Sequence, residues 1–263
     1  MACLAYGNSI DGPGVTTENQ IKTNPATQST YNNYVLKVGN IRWNDGETLH
    51  VGFRGGTPWQ RQTVASIAVQ WTYHANISFR FDTDGKGQER YDILVSFDTT
   101  NKASWSKIGN TSRDSAAAGS PSMNLGDLNQ FNNDAYNQRT ILHEFGHALG
   151  RKHMHQSPWR EEHPSVAFDR EKVYAHYYQN QGWDRNKVDL NILAEADLDW
   201  TQITERMRMR MMDLVMPKFD MQSIMMYPFD ASLMLGGQGG TQRNFELSAW
   251  DKYAISKAYP YHP

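Results

Sequence analysis

The stretch His143-Glu144-Phe145-Gly146-His147-Ala148-Leu149-Gly150-Arg151-Lys152-His153 constrains this chain more than any other. It reads H-E-x-x-H-x-x-G-x-x-H. The apolar residues Ile141, Leu142, Phe145, Ala148 and Leu149 predict a largely buried helix that runs to Gly150. On such a helix His143 and His147 lie roughly 40° apart around the axis and about 6 Å along it, so both imidazoles can reach one ion. Glu144 falls about 100° round from His143, off the ligand face but near enough to act on a water there. A glycine at position 150 can take the left-handed conformation and turn the chain, which brings His153 back as a third ligand. Three neutral imidazoles leave a fourth tetrahedral position open, the pattern of a catalytic zinc site rather than a structural one. Five fixed residues in eleven arise by chance on the order of 10⁻⁵ in a chain of this length.

This pattern resembles the metzincin zinc endopeptidases. Their second hallmark is a methionine turn under the metal. Ser223-Ile224-Met225-Met226-Tyr227-Pro228 fits the S-I-M-x-Y form of astacin-like members, with Met225 as the turn methionine and Tyr227 facing the metal. A matrixin-like register would choose Met226 instead. Serine, isoleucine and tyrosine all fall in place for Met225, and that register is preferred. The helix itself, with its H-E-F-G-H-A-L-G sequence, is matrixin-like. The resemblance implies an α+β metzincin fold. Its upper lobe is a twisted, mostly parallel sheet with two long helices, one of them the zinc helix; its lower lobe is irregular and carries the turn and a C-terminal helix. It further implies zinc held by His143, His147 and His153, Glu144 as general base, and Tyr227 as a stabiliser of the oxyanion.

The expected organisation is a polar N-terminal arm over residues 1–40 and a catalytic domain over 41–263, with an upper lobe to about 150 and a lower lobe after it. Ile41-Arg42-Trp43 and Thr48 to Phe53 alternate like a hairpin around Asn44-Asp45-Gly46. Pro58 opens a helix to about His74. Ile77–Phe81 and Asp92–Phe97 read as strands. Asp82 to Gly87 is a polar loop whose carboxylates could bind calcium, but the spacing fits no template and a plain turn is expected. Residues 99–133 show little helical signal. Within them, Trp105 to Gly109 and Pro121 to Gly126 resemble segments of bacterial and fungal astacin-like enzymes. In the family the strand before the zinc helix edges the cleft, so Met123, Asn124 and Leu125 are expected on that edge, where a peptide substrate adds a strand.

After His153 the relatives often read H-E-H-Q-S-P, whereas this chain has Met154 in place of the glutamate that bonds the mature N-terminus in astacins. That maturation feature does not carry over. His155 is out of register for the metal and is expected on the surface or behind the ligands. Glu171 to Gln181 reads as a helix ended by Gly182, and Ser248 caps a last helix that runs to about Tyr259. The segment Glu205 to Asp213 alternates arginine and methionine and is longer than the family's usual link before the turn. A methionine row facing the core with solvated arginines is the expectation there.

Composition excludes several function classes. Twenty-six Lys and Arg against 28 Asp and Glu give no field that would draw the chain to nucleic acid or membrane. No apolar run approaches the length of a membrane span. Cys3 is the one cysteine, so no intramolecular disulfide forms. A thiolate there could occupy the open zinc position, although the residues around it do not match the matrixin switch. Met1 to Gln20 lacks the basic start and apolar middle of a signal peptide; secretion is implied by the resemblance alone.

The expected activity is hydrolysis of internal peptide bonds in protein substrates, with one zinc ion as cofactor. Two alternatives keep the motif. One is an effector or toxin protease aimed at a single protein; the other is a catalytically weak zinc-binding interaction module, which the presence of Glu144 argues against.

Overall fold

The computed structural model describes residues 41–85, 90–100, 103–157, 163, 166–193 and 219–261. The N-terminal arm with Cys3 and the Arg/Met segment 205–213 lie outside these residues. Strands β1 (Thr48–Arg54), β2 (Ser78–Phe81), β3 (Ile93–Ser96), β4 (Ser104–Ser106) and β5 (Met123–Leu125) form one sheet in the order β2-β1-β3-β5-β4. The pairs β1–β2, β1–β3 and β3–β5 are parallel, and β4 lies antiparallel on β5. Helix α1 (Pro58–Ala68) makes the crossover from β1 to β2. Thr57 and Gln60 cap it reciprocally and Pro58 opens it, and it tightens into a 3-10 turn over Val69–His74.

The main core gathers Leu49 and Val51 of β1, Ile93 and Val95 of β3, and Met123 and Leu125 of β5. Against them pack Val64, Ala68 and Trp71 together with Ile141, Leu142 and Phe145 of the helix over Asp134–Ala148. Parallel strands that are covered by helices read as continuous apolar runs, which is why β3 is buried at every position. A second cluster holds Phe168, Val173, Tyr177, Trp183, Ile192, Tyr227, Phe229 and Met234. The sequence passes from the first cluster to the second between Met226 and Tyr227, so the methionine turn lies at their junction.

The hairpin expected over residues 41–53 does not form. Both edges of β1 are taken by β2 and β3, which leaves no place for residues 41–43. The Asn44–Gly46 turn is present, with Gly46 at φ 76°, but Ile41 accepts instead from the Asn110 amide at 2.8 Å. Trp43 is buried and donates from its indole to Ala148 O at 2.7 Å. Met123–Leu125 is likewise not an edge, because β3 and β4 pair with it on its two sides. The sheet ends at β4, so Ser104–Ser106 is the outer strand on that side. A helix α2 (Thr111–Ala117) also stands inside the connection expected to lack one. It has no apolar stripe, burying only Ser112 and Ala116. Its Arg113 ties it to Glu47 and Asp92 at 2.5 and 2.7 Å.

Candidate metal centre

Helix α3 (Asp134–Ala148) is capped at its start by Asn133, whose side chain accepts from Ala135 N. Its end is a Schellman turn. Gly150 takes φ 89°, its amide donates to His147 O at 2.8 Å, and Arg151 N reaches Gly146 O at 2.9 Å. Two further donors, the Trp43 indole on Ala148 O and the Tyr259 hydroxyl on Leu149 O at 3.0 Å, satisfy carbonyls that the helix end would otherwise bury without a partner. The turn sends the chain back so that His153 faces the helix it has left.

The result is convergence. One ring nitrogen from each of His143, His147 and His153 lies within 4.8 Å of the others, and all three side chains are buried. Among the described residues this is the one group of three or more such side chains whose ligand atoms come together. The acidic loop after β2 makes no such group there; its Asp82 accepts from the Tyr91 hydroxyl.

The hydrogen bonds set the tautomers. His143 Nδ1 lies 2.8 Å from Ile224 O, and His147 Nδ1 lies 2.7 Å from Arg151 O. A carbonyl can only accept, so each Nδ1 carries the proton and each Nε2 presents a lone pair. His143 Nε2 is buried with no hydrogen-bond partner, and His147 Nε2 stands 3.0 Å from His153 Nε2. Burial pushes His147 down to about 4. Burial first, then the neighbouring imidazoles, hold His143 and His153 well below the usual histidine range. Two rings that turn unprotonated Nε2 atoms toward a third buried imidazole, one of those atoms orphaned, fit a cation of zinc's ligand preference.

Glu144 is buried on the same helix. Tyr227 lies beside the group, its ring centroid 4.3 Å from that of His153 and 5.8 Å from that of His143. Met225 sits under the zinc helix. A Cβ on Gly146 would meet Met225 Sδ at 2.5 Å, so the glycine in H-E-F-G-H is what lets the turn approach. Met225 O also accepts from Met154 N at 3.0 Å, which ties the turn to the residue after His153. Met226 is buried elsewhere, its carbonyl at 3.5 Å from Arg139. His155 is fully buried behind the ligands rather than on the surface. Its ring stacks on His153 at 5.2 Å and 19°, packs 4.7 Å from Tyr227, and meets Phe229 edge-on. Only its place two residues after His153 hinted at this.

The fold as a whole is similar to that of myroilysin, with 31% sequence identity and a TM-score of 0.69 over 86% of this chain and 98% of that one. The chain belongs to the astacin-like metzincin zinc proteases. A second myroilysin structure agrees at 31% identity and a TM-score of 0.56, over 85% and 87% of the two chains. The astacin-like fold extends to high choriolytic enzyme 1, a hatching-enzyme zinc-protease of the medaka fish Oryzias latipes. There the identity is 17% and the TM-score 0.52, over 84% of this chain and 95% of that one. No family model and no curated protein matches the chain. As an astacin-like enzyme it is a zinc metalloendopeptidase with one catalytic zinc ion.

Proposed function

We propose that His143, His147 and His153 hold the zinc and that the enzyme hydrolyses internal peptide bonds of extended protein substrates. The observation that carries this is the convergence of three buried imidazoles, one ring nitrogen of each within 4.8 Å of the others. When bound there, zinc acidifies a water and polarises the scissile carbonyl. Glu144, one residue along the same helix from His143, takes the proton of the attacking water and passes it to the leaving amine. The Tyr227 phenol, beside His153, donates to the oxygen on which charge develops. Met225 forms the floor beneath Gly146 and fixes the height of the helix over the turn.

The substrate binds by adding a strand to the sheet, where main-chain hydrogen bonds give affinity for many sequences. The sheet order offers two outer strands, β2 and β4, and β4 is the one that leads to the ligand end of the zinc helix. Just after β4, the Gly109 amide donates to His147 O at 2.9 Å, so this edge runs beside the zinc helix. Action outside the cell is part of the proposal, supported by the family. No helix among the described residues is long and apolar enough to cross a membrane.

Replacing Glu144 by glutamine tests the reading. The amide keeps the shape but cannot accept a proton. The E144Q protein should retain its zinc and its melting temperature while casein hydrolysis falls by about 10²–10⁴-fold. Parent-level hydrolysis by zinc-loaded E144Q would remove Glu144 as the base.

A further inference from the structure

One carboxylate outside the ligand set is linked through the methionine turn to two of the three histidines. Asp251 lies in the first turn of the C-terminal helix (Ala249–Ala258) and is fully buried. Its Oδ2 accepts from Ile224 N at 2.7 Å, and the carbonyl of that same residue accepts from His143 Nδ1 at 2.8 Å. Its Oδ1 accepts from the Ser223 hydroxyl at 2.7 Å. Ser223 Oγ accepts in turn from Met225 N at 3.1 Å, and Met225 O holds Met154 N, next to His153.

We propose that Asp251 is a positioning residue for the zinc site: it anchors the methionine turn and, through Ile224 and Met225, sets the ring of His143 and the approach of His153. Groups behind metal ligands fix tautomer and ring direction, and a buried network of this kind leaves the ligands a single arrangement. A loose turn would let the His143 ring rotate away from its lone-pair direction. This inference rests on the zinc reading above, and it assigns to the C-terminal helix a part in metal binding that its distance in sequence from the motif conceals.

Asp251 also caps its own helix. Its Oδ2 takes the Ser248 amide at 3.0 Å, while Ser248 Oγ takes the Asp251 amide at 2.9 Å. The test must therefore separate helix capping from anchoring of the turn. S248A removes one half of the cap together with the Ser248 hydroxyl's bond to Asp220, and leaves the bonds of Asp251 to Ile224 and Ser223 in place. S223A breaks the link to Met225 without touching the cap. D251A removes both. The zinc dissociation constant of each full-length chain is read by competition with a chromogenic chelator, alongside the melting temperature. D251A should bind zinc about tenfold more weakly than the parent, at the low end of what removal of an outer group costs. S223A should shift in the same direction by a smaller factor. S248A should lower the melting temperature and keep the parent's zinc affinity. If D251A does not fold, the contrast between S223A and S248A decides. Equal weakening in S248A and S223A, or parent affinity in all three, would overturn the role of Asp251 alone. A parent chain that takes up no zinc would overturn the zinc reading and this inference together.

Discussion

Tyr227 and Gly146 carry the sharpest single-residue expectations. A phenol that donates only as charge develops on the oxygen lowers kcat with little change in KM when it is lost. Tyr227→Phe should therefore cost roughly ten- to a hundredfold in kcat on a peptide substrate, with zinc content unchanged. Full activity would take Tyr227 out of the reaction and leave it as packing beside His153. Gly146→Ala puts a methyl 2.5 Å from Met225 Sδ and 3.2 Å from Trp71, both buried. Overpacking of this kind costs about 1–3 kcal/mol. The better helix propensity of alanine returns about 1 kcal/mol of that. A net loss of up to about 2 kcal/mol should appear in denaturant unfolding. A raised midpoint would mean that Met225 does not press on the helix.

The zinc helix could be read from its sequence because its pattern is local: two histidines four positions apart, a glycine to stop the helix, and a third histidine just beyond. Its C-terminal turn gives a clean test. Gly150 at φ 89° has open space where a Cβ would stand, so alanine there meets no neighbour and pays only for the left-handed backbone, about 1–2 kcal/mol. Gly182, at φ 65° after the helix over Arg170–Gln181, has the same open surroundings far along the chain from the histidines. G150A and G182A should lose similar stability, but only G150A should also weaken zinc binding. Equal zinc affinity in the two would show that the turn at Gly150 does not place His153. Other elements were hidden for physical reasons. Helix α2 has no apolar stripe because Arg113 and its carboxylate partners hold it from outside the core. Strand β4 is three residues long and polar at two of them. Which strand forms the sheet edge depends on topology, and β4 folds back antiparallel past β5 to take that place. The alternation at Ile41–Trp43 reflects Trp43 reaching for the zinc helix rather than a strand partner.

Across the molecule, two cores meet at the methionine turn, and the proposed zinc site sits where the chain crosses between them. The ligand set was readable from one stretch of sequence. What holds the set in place was not, because Ile224, Met225, Asp251 and Tyr259 come from far along the chain and bond through or to backbone atoms. The central claim is that one zinc ion on His143, His147 and His153 makes this chain a peptidase. The direct test is to strip the metal, return zinc in measured steps, and follow both bound zinc and cleavage of a quenched peptide. Metal-free protein should not cleave, and activity should return in proportion to zinc and level off at about one equivalent per chain. Cleavage by the metal-free protein, or uptake of a full equivalent of zinc with no return of cleavage, would contradict the account.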